Sequence, residues 1–265
     1  MRAELATFCE LSGLLQGVGR RLAFLPVGCT EQHGPLLPLG TDTLVADAMA
    51  SALCAHLAGN GWRGVVYPPL AYTPSRSNAD YPGSTTVDEN SFRGYAQEVC
   101  GAILHHPFDA LVLVCMHGPA EPSLIELAFR LNQAGFAAGG PVRPLIVLGV
   151  TRYAGVFQRV LGDSAGKHAD FKEFLLLFKV LGSDFFPAEK IAGLQAFGMR
   201  YRGSPPPMVG LPGMPMAYRS VDGVIGLPWP EQAVDYPVLA AELWARLLEA
   251  FAETVKQAFA DLERI

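Results

Sequence analysis

The sequence predicts an α/β fold, a three-layer αβα arrangement around a mostly parallel sheet. Three observations carry that expectation. Short apolar runs rich in β-branched residues alternate with longer segments of helical period, and Gly/Pro-rich stretches separate them. The runs are apolar almost throughout instead of alternating with polar residues, as strands covered on both faces require. Finally, 265 residues, 50% of them hydrophobic and 17% charged, suffice to fill such a core as one domain over residues 1–265.

RLAFLPVG (21–28) is the first strand, and TLVADAMASALCAHLAGNG (43–61) the first helix, stopped by Gly59 and Gly61. GVVYPPLAY (64–72) forms the next strand. A helix over 88–106 opens on Asp88, whose side chain can cap the first free backbone N–H groups, and leads into the strand ALVLVCM (110–116). The pattern repeats with a helix over 121–134, the strand PLIVLGVT (144–151) and a helix over 168–182. Seven prolines between 203 and 231 exclude regular helix or central strand there, so this stretch is a long loop with a functional or interface role. The chain closes in a helix over 232–263, with Leu239, Leu243, Leu247, Phe251 and Val255 on one face.

Composition removes several classes of function. A net charge of −5, a pI near 5.7 and no basic cluster beyond Arg20 and Arg21 exclude nucleic acid and anionic membranes as partners. Glu4 and Glu10 interrupt what would have to be the apolar part of a leader, and no apolar run is long enough for a membrane span, so a cytoplasmic protein is expected. Five cysteines with no C-x-x-C pair fit free thiols; Cys29 and Cys115 read as small packing residues. No strand is followed by G-x-G-x-x-G or a P-loop, which excludes a doubly wound nucleotide-binding protein.

The chemistry concentrates in GCTEQHGPLLPLGTD (28–42), directly after the first strand. In extended backbone alternate side chains share a side, so Glu31 and His33 can converge while Gln32 faces elsewhere. Gly34, Pro35, Pro38 and Gly40 then form a stiff turn that can return Asp42 to the same place. Two carboxylates and an imidazole suit a divalent-metal site. Taken singly, the same residues fit structural roles, with Asp42 as a helix N-cap and Glu31 and His33 as solvated loop residues.

The segment resembles the creatininase-family signature E-Q-H-G-P-x-L-P-L-x-x-D at every fixed position. Farther along, YPGSTTVDENSF (81–92) resembles the family's F-P-G-T-x-x-L stretch, VLVCMHG (112–118) its strand ending in N-G-H-G-G-N, and KHADFKEFLLL (167–177) its H-A-G-x-x-E-T-S segment. The resemblance implies an amidohydrolase with two divalent ions, zinc, manganese or iron, acting on a cyclic amide, a formamide or a modified peptide. It implies Glu31, His33, Asp42 and His117 as metal ligands, Asp42 bridging, with Glu173 as a fifth ligand and His168 as the catalytic proton carrier. Glu121, four positions after His117, is the rival to Glu173, because true creatininases place a ligand two positions after that histidine, where this chain has Pro119. It also implies a homo-oligomer, a closed hexamer in the relatives, with Met208, Met214, Met216 and Trp229 of the Pro-rich segment available for contacts.

The departures bear on substrate. CMHGPAE lacks both asparagines of the family motif, Asn78 stands where many relatives carry a histidine, and the tryptophans that cover creatine have no counterpart. Creatinine is therefore not the expected substrate. The same changes leave open a second class of function, a metal-binding member without catalysis that serves as a pathway subunit or binding protein.

Overall fold

The computed structural model describes residues 1–162, 167–200, 214–230 and 233–264. Its centre is a four-stranded parallel sheet in the order β2-β1-β3-β4, built from β1 (Arg21–Val27), β2 (Arg63–Val66), β3 (Ala110–Cys115) and β4 (Leu145–Gly149). β1 runs in register with β3 from Leu22 opposite Ala110 to Val27 opposite Cys115, whereas its pairing with β2 ends at Phe24 opposite Val66. Pro68 and Pro69 explain that early end. Neither has an N–H to give to a ladder, so the expected strand over 64–72 shortens, and one further bridge joins Val27 to Leu70.

Alternate strand residues divide the core in two, as a sheet covered on both faces requires. Leu22, Phe24, Val112, Val114, Ile146 and Leu148 face α2 (Thr41–Ala58), α5 (Ala154–Leu161), α6 (Phe171–Phe185) and α8 (Tyr236–Leu262). Ala23, Leu25, Val27, Leu111, Leu113 and Cys115 face α1 (Phe8–Gln16), α3 (Glu89–His105) and α4 (Glu121–Ala137). α7 (Ala188–Arg200) follows α6 and buries Ile191 and Leu194 against the first of these clusters. On α8 the expected stripe is present, with Leu243, Leu247, Phe251 and Val255 fully buried and Leu239 partly so.

Local chemistry sets the ends of these elements. Asp88 caps α3 by accepting from Asn90 N and Ser91 N. α1 was not among the expected helices, although Thr7 and Glu10 form a reciprocal capping box at its start. α6 begins at Phe171 instead of 168, because Asp170 is its N-cap and His168 pairs in extended form with Ile225. Gly28 lets α2 approach the end of β1: a Cβ there would lie 2.4 Å from the backbone of Thr43. Much of the Pro-rich stretch, residues 203–213 and 231 with Met208 among them, lies outside the described residues.

The described part of that stretch corrects one expectation. Met216 and Trp229 are buried, at 4% and 6% exposure, and Trp229 packs against Phe171, Phe174 and Tyr236. Their apolar surface is consumed inside the chain and is not available for contacts with another copy. All five cysteines are free, four of them buried. Among the described residues no helix is long and apolar enough to cross a membrane.

Candidate metal centre

The carboxyl ends of the parallel strands, where ligand sites of open α/β sheets lie, hold a buried cluster of carboxylates and imidazoles. Glu31 and His33 follow β1, Asp42 sits in the first turn of α2, His117 follows β3, and Glu173 lies in the first turn of α6. Glu31, His33, Asp42 and His117 are each 4% exposed or less, so none is a solvated loop residue. Nor is Asp42 a helix cap. α2 begins after Gly40 with no side-chain cap, and the two oxygens of Asp42 turn to different histidines. Oδ1 is 3.2 Å from His33 Nε2 and Oδ2 is 2.8 Å from His117 Nδ1.

Two groups of donors share Asp42. On one side His117 Nδ1 lies 3.3 Å from Glu31 Oε1; on the other His33 Nε2 lies 3.6 Å from Glu173 Oε2. The far nitrogen of each ring is anchored on backbone: His33 Nδ1 donates to Glu31 O at 3.1 Å and His117 Nε2 to Pro74 O at 2.9 Å. With those protons committed, the tautomer assigned by the hydrogen bonds leaves both inward nitrogens free to act as ligands. Glu31 is fixed in turn by Asn78 Nδ2 at 2.7 Å and by the Ser75 hydroxyl. Glu173 Oε2 accepts from Ala169 N at 2.6 Å.

The electrostatics describe a place short of positive charge. Burial pulls the His33 imidazole down, but the charge and hydrogen bond of Asp42, then Glu173 and Glu31, drive it up to about 10. His117 is likewise held well above its ordinary value, against burial, chiefly by its hydrogen bond to Asp42. Burial raises the Asp42 carboxyl, and the His33 charge overcomes it to hold the group below the usual carboxylate range. Divalent cations would replace those protons and offset the negative charge of the carboxylates, so the donor set fits a metal. The oxygen, nitrogen and sulfur atoms of Glu31, His117 and Cys29, of Glu31, His33 and His168, and of His33, Asp42 and Glu173 form three groups whose members lie within 4.8 Å of one another.

His168 faces the cluster without being anchored on it. Its Nδ1 is 3.7 Å from Glu31 Oε1, and its Nε2 is 2.9 Å from Gln32 O. The two amide hydrogens of Gln32 go to Asn78 Oδ1 and Gly223 O, each at 2.9 Å, so His168 Nε2 carries its proton and gives it to Gln32 O. That leaves Nδ1 as an open acceptor. Burial, then the neighbouring His33 charge, pushes His168 down to about 4 and keeps it neutral.

Glu121 is buried too, but its carboxylate accepts from Thr151 N at 2.7 Å and from the Thr151 hydroxyl. It sits against Gly149, where a Cβ would meet its carboxylate carbon at 2.4 Å. Both oxygens are thus engaged away from His33. Sequence reasoning missed Ser75, Gln32 and Asn78 as the frame of the cluster. It also missed Lys172, a buried ammonium 3.7 Å from Glu173 Oε1 and 3.9 Å from Asp170 Oδ2. Its place one residue before Glu173 was the available signal.

An α/β sheet carrying a buried carboxylate–histidine cluster at its carboxyl edge defines a protein built to hold cations. The family described as "Creatininase: Creatinine amidohydrolase" matches residues 9–176, more than half of the chain, and the chain belongs to that family. A "Mycofactocin precursor peptide peptidase" of Mycobacterium ulcerans (strain Agy99) is 32% identical over 126 residues, which cover 43% of this chain and 47% of that protein. A "Creatinine amidohydrolase" of Pseudomonas putida is 29% identical over 123 residues, covering 44% of this chain and 46% of that one. The match thus spans about half the length of these curated relatives. The solved structure "Creatininase Mn" superposes with a TM-score of 0.76 at 18% identity, over 97% of this chain and 98% of that one, so the fold is shared end to end.

Proposed function

We propose that the chain is a metal-dependent amidohydrolase, folded as one domain, that hydrolyses a C–N bond of a small molecule or modified peptide. The observation that carries this reading is the pair of backbone-anchored histidines aimed at opposite oxygens of Asp42. In this reading Glu31, Asp42 and His117 hold one divalent ion, and His33, Asp42 and Glu173 a second. Zinc, manganese or iron would each suit this donor set. The bound ions would polarise the scissile carbonyl and acidify water. Glu121 serves instead to hold Thr151.

His168 supplies the proton transfer. Anchored through Nε2 on Gln32 O, it presents Nδ1 to the cavity, can take a proton from the attacking water and can hand it to the leaving nitrogen. The relatives are named for a precursor peptide and for creatinine, and a cavity of about 500 Å³ beside the cluster admits either a small ring or a peptide end. Creatinine itself is not our proposal, since the cavity carries no tryptophan among its lining residues.

The test is elemental analysis of protein purified without chelator, together with His168→Ala. Two divalent ions per chain are expected in both proteins, with turnover of a cyclic amide, formamide or peptide substrate lowered roughly 10²–10⁴-fold in the variant. Protein that binds neither zinc, manganese nor iron would overturn the reading. Full metal with no turnover of any amide tried would favour the binding-protein alternative. We further propose a homo-oligomer, with the exposed Ile125, Phe129 and Phe136 on one face of α4 as the contact, in place of Met216 and Trp229. A light-scattering mass near that of one 28.4 kDa chain would contradict it.

A further inference from the structure

The ionisable residues around the cavity are unevenly placed. Its carboxylates, Glu31, Asp42 and Glu173, all belong to the cluster; beyond the two histidines, every other ionisable side chain lining it is cationic, namely Lys167, Lys172 and Arg219. Lys172 is balanced by Asp170 and Glu173. Among the described residues Lys167 and Arg219 have no ion pair.

These two cations belong to one wall. Lys167 N donates to Ile225 O at 3.0 Å, His168 and Ile225 pair in both directions, and Phe171 N donates to Leu227 O at 2.9 Å, which ties 167–171 to 225–227. Arg219 follows the turn Met216–Tyr218, with its N–H on Met216 O at 2.8 Å, and the Tyr81 hydroxyl bonds to Ser220 O beside it. Fixed backbone therefore carries both side chains to the cavity. When two divalent ions offset the three carboxylates, the cluster is left with a net charge of about +1, and Lys167 and Arg219 add to it with no carboxylate paired to them among the described residues.

We propose that this wall receives an anionic oxo group, a carboxylate or a phosphate, carried by the amide substrate, with Lys167 and Arg219 as its partners. The proposal rests on the amidohydrolase reading and gives it a substrate class. Arg219 offers a planar fork of N–H donors and Lys167 a mobile point charge, a combination that suits either oxyanion. A neutral amide would gain far less from them, since its carbonyl brings no charge to pair.

The test compares binding of N-acetylglycine, N-acetylaminomethylphosphonate and neutral N-acetylglycinamide to the zinc-loaded full chain and to Lys167→Gln/Arg219→Gln. Dissociation constants come from ligand-observed NMR, and zinc content is measured on the same samples. Both positions are exposed or half-exposed, so the variant should fold. We expect the double variant to lose about tenfold or more for one or both anionic probes and no more than about twofold for the neutral one. Loss for N-acetylglycine alone assigns a carboxylate, and loss for the phosphonate alone assigns a phosphate. Unchanged anion affinity in a variant holding full zinc overturns the anion site and leaves the metal reading intact. Wild-type protein that holds no zinc, yet prefers the anions through these two residues, sustains the site and sinks the metal reading instead.

Discussion

The two ends of the sheet carry charge in opposite ways. At the amino ends of the strands, Arg21 and Asp109 form a two-pronged pair, with Nε–Oδ2 at 3.0 Å and Nη2–Oδ1 at 2.6 Å, and Asp109 also accepts from Arg21 N at 2.7 Å. That pair is half-exposed and self-balanced. At the carboxyl ends Glu31 and Asp42, both buried, and the partly buried Glu173 surround two imidazoles that their negative charge drives basic. Burying charge costs several kcal/mol per ion, so an end that gathers carboxylates and imidazoles out of water fits a cation-binding role. The contrast separates charge that serves stability from charge that serves function.

The contrast breaks most visibly at Asp42. Asp42→Ala should abolish high-affinity binding of both metal ions, since its two oxygens face the two donor groups; retention of two ions in equilibrium dialysis would remove it from a shared role. Glu173→Ala should cost one ion and spare the other, because Glu173 belongs only to the donor group of His33 and Asp42. Asn78→Ala removes a hydrogen bond to Glu31 and no donor, so metal affinity measured by chelator competition should fall about 10–100-fold with the stoichiometry kept.

The smallest effect belongs to the balanced end. Asp109→Asn should lower stability by about 1 kcal/mol at neutral pH and leave metal content unchanged. Burial raises the Asp109 carboxyl, but its hydrogen bonds to Arg21 outweigh this and hold it below the ordinary value. A lowered folded-state pKa means that stability is present above the unfolded-state value and is lost as pH falls through the folded one. Denaturant midpoints of wild type and variant should therefore converge as pH falls through and below the ordinary aspartate range. A gap that persists there would assign the loss to packing instead of charge.

What the sequence disclosed follows the same division. Strands buried on both faces announced themselves as apolar runs, and the long helices by their period, so the layers were legible. α1, α5 and α7 were not, α5 being short, α7 lying beside a proline-rich stretch, and α1 carrying no stronger mark than the spacing of Thr7 and Glu10. Glu31, His33, Asp42 and His117 were singled out because one motif and one strand end hold them close in sequence. Glu121 and Glu173 could not be separated on paper. Each opens a helix after an apolar or glycine-bearing stretch, and only the position of Thr151, thirty residues away from Glu121, draws one of them aside. Gln32 and Asn78 act through partners distant in the chain, so spacing carried no trace of them, whereas Lys172 stands beside its partners Asp170 and Glu173 in the sequence.

The two-way backbone pairing of His168 with Ile225 has a mechanical consequence. A molecule bound at the proposed wall would be felt at the imidazole, because two peptide hydrogen bonds join His168 to Ile225 in the segment that carries the wall. In the proposed hydrolysis, grip on the far end of a substrate would then help align the bond to be broken, and a truncated substrate should lose speed as well as affinity.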